Sequence, residues 1–590
     1  MKNALILVIS LFIINMSSAK QTEKIEYSIS FSEPHTHYAE VSIKVSNIKQ
    51  SSVDFQMPVW APGSYLVREF AKSVEGFEAK SNDKQLSVEK VNKNTWTVAT
   101  KGLKEVTVSY KLYAFEKSVR TSFIDIDRAF LHNTSCFMLV RQFKNSAGTL
   151  KINPYKDWKV TSTGLKMGEN NTYSFANYDE LADCPIEIGN HKVYKFEVMG
   201  VPHELAFVGE SNCDINQFVK DLQKTCEEAA NIVGEHPCER YVFFVHNVDN
   251  GGGGLEHMNS TAVQMKRFDY TKPGKYVNFL GLCAHEYFHL WNVKRIRPAE
   301  LGPFDYSSEN YTKLLWVAEG ITNYYDELIP ARAKFIDDNS FLRSLSGRMN
   351  SVDNNEGNAV QPLADASWDA WIKAYRPNEN SRNTTVSYYT KGLVVAAMLD
   401  LMIIHETKGE KHLDDLMKAL YQKFYKEKKR GFTDKEFVQT VNELCGSDQS
   451  QFFDDYVYDT KSIDYKKYLD YAGLGLADNN KDPKPSLGIS LNGTTITSIE
   501  RGGSAWTYGL NVKDEIISFN EVRVTPSNIN DLLNMLAGQD IKVLISRDGL
   551  LRTLIVKVGI DKSHNYSIEK SEITSNEAAV VYNKWMSRVK

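Results

Sequence analysis

Two histidines stand four residues apart, with a glutamate between them, in Cys283-Ala284-His285-Glu286-Tyr287-Phe288-His289, and Glu319 follows thirty residues later. On a helix, positions i and i+4 point the same way, so both imidazoles can reach one ion. Two His nitrogens and one carboxylate oxygen form the donor set of a catalytic zinc, which keeps a fourth position open. Glu286 faces the same cavity and can act as a base toward water. Leu315-Trp316-Val317-Ala318-Glu319-Gly320 reads as a second apolar helix able to cross the first. The spacing predicts one Zn2+ per chain held by His285, His289 and Glu319, with Glu286 as general base. A zinc hydrolase is the expected chemistry.

Two further segments carry candidate chemistry. Gly251-Gly252-Gly253-Gly254 precedes Leu255-Glu256-His257. Glycines let a backbone come close to another chain, as an edge strand does when a peptide pairs with it. Gly253, Gly254 and Glu256 are therefore substrate-binding candidates, with Glu256 placed to hold a peptide's free α-amine. Farther on, Ser387-Tyr388-Tyr389-Thr390-Lys391-Gly392 opens a very apolar helix. A tyrosine hydroxyl there can stabilise a developing oxyanion.

The elements that must position these groups fall into several domains, for which 590 residues leave ample room. Residues 20–197 read as a β domain, because Val41-Ser42-Ile43-Lys44-Val45 and Glu105-Val106-Thr107-Val108-Ser109-Tyr110 alternate in polarity. Residues 198–330 mix helix and strand around the histidines, with a helix over 216–233 and a buried strand at 241–245. Residues 331–477 are expected to be helical. Thr433 and Glu436 form a capping box there, and Gly446 stands at the stop. The apolar run 393–404 is too short to span a bilayer and is broken by Asp400. A polar linker is expected at 478–485, then a small domain of strands at 486–560, and a partly helical tail at 561–590.

The net charge of −4, with no basic block, argues against a nucleic-acid partner. Lys2, the apolar run 4–14 and Ser17-Ser18-Ala19 have the form of a signal peptide at 1–19. Cleavage after Ala19 and export to a periplasmic or extracellular location are expected, with no stable membrane span. Seven cysteines are too few for a disulfide scaffold, although Cys213, Cys226 and Cys238 can supply one bridge. Cys283 is expected to pack as a small hydrophobe.

The chain resembles the glycyl aminopeptidase family of gluzincin zinc peptidases, metallopeptidase family 61, whose members often end in a PDZ domain. The resemblance is carried by His285-Glu286-Tyr287-Phe288-His289-Leu290-Trp291-Asn292-Val293-Lys294-Arg295-Ile296-Arg297-Pro298 and by residues 315–325. Pro58-Val59-Trp60-Ala61-Pro62-Gly63-Ser64-Tyr65 matches the family's N-terminal β domain. The resemblance implies a multidomain α+β protein. Its parts would be a β-sandwich-like N-terminal domain, a thermolysin-like catalytic domain with a helical subdomain, and a C-terminal PDZ domain. It implies the same three zinc ligands and the same base, and it selects Tyr389 over Tyr388 as the oxyanion donor. Related aminopeptidases bind the substrate amine with a Gly-x-Met-Glu-Asn strand. Gly253-Gly254-Leu255-Glu256-His257 stands in that place, with Leu for Met and His for Asn. Many gluzincins carry Asp four residues after the ligand Glu, where this chain has Asn323, so the support behind the ligands is expected to differ. In the PDZ domain, Leu487, Gly488 and Ile489 would form the carboxylate-binding loop for a C-terminal peptide ligand.

The expected function is that of an exported zinc aminopeptidase acting on peptides or proteins and releasing small N-terminal residues. Two other readings fit the same sequence: a thermolysin-like endopeptidase, and a PDZ-based peptide-binding protein with a relic zinc site.

Overall fold

The computed structural model describes residues 24–570 and 575–586. The expected signal peptide lies outside the described residues.

The N-terminal region is β-rich. Strand Lys24–Ser30 pairs antiparallel with Tyr38–Ser46, which pairs with Glu105–Tyr113, in the middle of an eight-stranded sheet. Along Tyr38–Ser46 every second residue is buried, as a sheet with one face on the core requires. Two four-stranded sheets complete this region and share its apolar core. Strand Lys192–Val198 starts inside the span expected for the β domain but belongs to the next sheet. Met199 and Gly200, both at positive φ, make the tight turn that folds it back onto Val201–Val208.

That next sheet has five strands, in the order Lys192–Val198, Val201–Val208, Tyr241–Val248, Ser260–Lys266 and Gly254–Glu256. Every residue of Tyr241–Val248 is buried, as befits a strand covered on both faces. Gly254–Glu256 forms one edge. Helix Ile215–Val233 starts at Asp214, whose side chain accepts from the Asn216 and Gln217 amides, and ends at left-handed Gly234. It packs beside helix Pro273–Phe288.

The helical region follows. Thr433 and Glu436 cap helix Asp434–Cys445 reciprocally, and Gly446 ends it in the left-handed conformation. Asp400 is fully buried in helix Thr390–Glu406, where it accepts from Tyr324 Oη at 2.5 Å and the Leu413 amide at 2.7 Å.

The chain enters and leaves the small C-terminal domain through paired strands. Leu474–Asp478 pairs with Tyr566–Lys570, and Pro485–Ser486 with Gly559–Ile560. The polar linker segment is thus pinned at both ends by backbone pairing. Between these pairs lie a six-stranded sheet and helices Ser504–Tyr508 and Ile529–Met535 around a separate core. Helix Asn576–Met586 then returns to the helical region. Trp585 is fully buried there and donates to Tyr324 Oη at 2.7 Å. The tail completes a core at a distance of 261 residues along the chain.

All seven cysteines are free thiols, so the bridge that Cys213, Cys226 and Cys238 could supply is not formed. Cys226 is buried in the apolar core, and Cys238 accepts from Arg295 Nη2 at 3.3 Å. Cys283 is buried among hydrophobic side chains.

Candidate metal centre and substrate cleft

Helix Pro273–Phe288 begins with Pro at its first turn and buries Phe279, Leu280, Cys283, Ala284, Tyr287 and Phe288. An apolar helix held on most sides fixes its last turn firmly. His285 Nε2 and His289 Nε2 stand 3.0 Å apart, with His289 at the helix's C-terminal cap. Glu319 sits on a π-helical turn, Trp316–Gly320, that runs into helix Ile321–Arg332. Such turns re-aim one residue within a helix and recur at functional sites. Here the turn brings Glu319 Oε2 within 3.3 Å of His289 Nε2 and 3.6 Å of His285 Nε2. A metal about 2.0–2.1 Å from each donor sets tetrahedral donor pairs about 3.3 Å apart. The three atoms fit one zinc.

The far side of each imidazole is occupied. His285 Nδ1 lies 2.9 Å from Asp326 Oδ2, and His289 Nδ1 lies 2.7 Å from the Asn292 carbonyl. Both Nδ1 atoms are committed, which leaves both Nε2 atoms for an ion. The Asn292 amide also donates to the Val317 and Ala318 carbonyls and to Thr322, clamping the Glu319 turn to the histidine helix. Burial disfavours ionising Glu319, yet the two imidazoles hold its carboxyl well below the usual carboxylate range. Burial likewise opposes charge on His285, but Asp326 and Glu319 raise its pKa well above the ordinary value.

Glu286 points into the same cleft. Its Oε2 is buried without a hydrogen-bond partner, and burial pushes its carboxyl up to about 7 against the pull of His285 and His289. Gly254 is required beside it, because a Cβ there would stand 2.4 Å from the Glu286 side chain. Glu256 is 3 % exposed, and its Oε1 also lacks a partner. Ligand atoms of Glu256, Glu286 and His289 lie within 4.8 Å of one another. Gly63, at φ +86°, packs against Glu256; a Cβ there would stand 2.3 Å from Oε1. Tyr65 Oη donates to the other oxygen of the metal-side glutamate, Glu319 Oε1, at 3.2 Å.

Tyr389 lines the cleft, with its ring stacked 6.5 Å from that of His285 and its hydroxyl 3.5 Å from Tyr375 Oη. Tyr388 is fully buried behind it. Burial raises the Tyr389 phenol well above its ordinary pKa, so it stays a proton donor. Gly392 and Gly320 meet backbone to backbone: a Cβ on Gly320 would be 2.6 Å from Gly392 Cα. That close approach draws the start of the Tyr389 helix onto the Glu319 turn.

The cleft of about 580 Å³ brings together His285, Glu286, His289, Glu319, Tyr389, Gly253, Gly254 and Glu256. Leu487, Gly488 and Ile489 lie elsewhere, in the small domain, with Leu487 buried and Gly488 at φ +68°. The Asn383 side chain ties that domain to the segment before Tyr388, through the Ile499 carbonyl at 2.8 Å and the Arg501 amide at 2.9 Å.

Sequence reasoning gave no role to Asp326, Asn292, Tyr65, Gly63, Tyr375 or Arg120, all at or next to the site. Asp326 had a signal: it stands seven residues after Glu319, two turns along the same helix face. His257 points elsewhere, its Nδ1 lying 3.0 Å from Asp183, which also accepts from Lys294 at 2.9 Å.

The family described as the peptidase M61 N-terminal domain matches residues 26–190, and the M61 glycyl aminopeptidase family matches residues 278–395. No curated protein matches the chain. Among solved structures, an aminopeptidase N family protein from Idiomarina loihiensis is similar, with a TM-score of 0.86 and 29% identity. That likeness covers 95% of this chain and 100% of the other. An M1 zinc metallopeptidase from Deinococcus radiodurans gives a TM-score of 0.46 at 10% identity, over 75% of this chain and 94% of that one. Yeast LTA4 hydrolase gives 0.43 at 13%, over 76% and 66%. The two family matches, on the β domain and on the helices that carry the cleft, show a metallopeptidase with the N-terminal and catalytic domains described for M61 peptidases.

Proposed function

We propose that this protein is a zinc aminopeptidase that removes small residues, glycine or alanine, from the N-termini of peptides. The observation that carries this reading is Glu256, a buried carboxylate with an unpartnered oxygen beside the base and the metal ligands. A buried carboxylate left open calls for a cation, and the α-ammonium of a peptide supplies one. The M61 glycyl aminopeptidase description supports a small first residue.

His285, His289 and Glu319 would hold a zinc, which would supply Lewis-acid chemistry toward a carbonyl and water. Glu286 takes the proton of the attacking water and delivers it to the leaving amine nitrogen. Tyr389 Oη donates to the carbonyl oxygen as negative charge develops there. Glu256 anchors the α-ammonium, and the backbone of Gly253 and Gly254 pairs with the extended substrate. Asp326 holds His285 in place.

The small domain we read as a PDZ module. Strand Ile489–Asn492 ends its sheet with an open edge, and Ile489, Leu491, Leu532 and Leu536 are half-buried apolar side chains. An extended C-terminal peptide adds to such an edge, with Leu487, Gly488 and Ile489 at its carboxylate. Export rests on residues 1–19 alone. No helix among the described residues is long and apolar enough to cross a membrane.

Glu286→Gln tests the chemistry. The variant should keep its zinc by elemental analysis while turnover falls by roughly 10²–10⁴-fold. Near-normal kcat in the zinc-loaded variant would require another base.

A further inference from the structure

Two arginines line the cleft, and one of them forms no ion pair among the described residues. Arg120 and Arg348 are its lining arginines, and Arg348 is paired with Glu327 at 2.7 Å. Arg120 belongs to no ion pair among the described residues, and its Nε is buried without a partner. It comes from the N-terminal region, on the loop after strand Glu105–Tyr113. Val119 seats that loop in an apolar cluster with Leu255, Val242 and Phe244. So anchored, Arg120 Nη2 donates to the Gly254 carbonyl at 3.1 Å, and Nη1 lies 3.9 Å from where a Cβ on Gly253 would stand.

Its distance from Glu256 sets what it can read. Gly254 and Glu256 are two residues apart on an edge strand, about 6.8 Å. A substrate pairing along that edge with its amine at Glu256 runs antiparallel to the strand, toward Gly254 and Gly253. Two extended residues cover the same length, so the α-carboxylate of a dipeptide arrives beside the Arg120 guanidinium. Guanidinium and carboxylate form the charge-assisted pair that a fork of N–H donors favours.

We propose that Arg120 is a specificity determinant that binds the C-terminal carboxylate of very short peptides, dipeptides above all. This rests on the aminopeptidase reading, which fixes the amine at Glu256. Glu256 and Arg120 then act as two ends of a gauge, and substrates lacking a carboxylate at that length lose one end.

The test compares kcat/KM for Ala-Ala, its C-terminal amide and N-acetyl-Ala-Ala, in wild type and in Arg120→Gln. Gln removes the charge and retains an N–H donor for the Gly254 carbonyl. Wild type is expected to prefer the acid over the amide by about tenfold, the scale of a charge-assisted hydrogen bond in a half-open site. Arg120→Gln should bring the acid down to the level of the amide, and Arg120→Lys should restore part of the preference. A wild-type ratio near one, or a variant that lowers acid and amide alike and keeps their ratio, overturns the proposal. N-acetyl-Ala-Ala cleaved as fast as Ala-Ala instead defeats the aminopeptidase reading, whatever the acid-to-amide ratio.

Discussion

The two ends of the cleft are built in opposite ways. The metal end comes from two helical segments close in sequence, with His285 and His289 one turn apart and Glu319 on the next long helix. Its geometry is held by short-range devices: the i, i+4 spacing, the Asn292 clamp and the Asp326 brace. The glycine-edge end is assembled across domains. Glu256 lies on a three-residue edge strand, pressed by Gly63 and flanked by Arg120, both from the N-terminal region. Tyr65 links the ends, reaching Glu319 from 254 residues away. The metal end is a local motif, whereas the edge end exists only while the β domain is docked. Chemistry should therefore fail through the first and substrate choice through the second.

Among three further variants, the largest effect is expected at the oxyanion. Tyr389→Phe should lower kcat by roughly 10²–10³-fold with KM little changed, because the lost hydroxyl serves the transition state. Tyr388→Phe should leave kcat near wild type, since its ring is buried away from the cleft. The reverse pattern in steady-state kinetics would place the oxyanion donor one residue earlier. Asp326→Asn comes next. It removes the anion behind His285, and zinc affinity measured by competition with a chelator should fall by roughly 10–100-fold. Unchanged affinity would show that the histidine helix alone orients the ring.

The smallest of the three acts on the other end. Gly63→Ala puts a methyl where the Glu256 carboxylate stands, at a backbone angle alanine disfavours. KM for free-amine peptides should rise by about tenfold, the cost of one displaced charge-assisted contact, with zinc content unchanged. If zinc is lost together with affinity for the amine, the ends are not separable and the contrast drawn above fails.

How legible each end was in the sequence follows the same division. The histidine helix, its glutamate and the capping box at Thr433 are periodic, local signals, and the structure puts them in contact or at the expected ends. The glycine run marked the edge strand because glycine permits close approach, and Gly254 shows the reason in the position of Glu286. Gly63, Tyr65 and Arg120 carried no local signal of a site, since what they touch is set by how two domains meet. The strand Lys192–Val198 was misplaced because alternation shows that a strand exists and not which sheet receives it. The tail at 561–590 is expected only to be partly helical, and the docking of its helix against Tyr324 depends on the chain returning through the strand pair Leu474–Asp478 and Tyr566–Lys570.

The central claim is that a free α-amine, held by Glu256, brings the first peptide bond to the metal end. It is tested most directly by mapping the products of one peptide, free and N-acetylated, with wild type and Glu256→Ala. Wild type should release single N-terminal residues from the free peptide and leave the acetylated one nearly untouched. Glu256→Ala should raise KM for the free peptide by roughly 10–100-fold, the range of a lost contact to a charged group. Internal cleavage of the acetylated peptide by wild type, at the rate seen with the free one, would contradict the account and make the protein an endopeptidase.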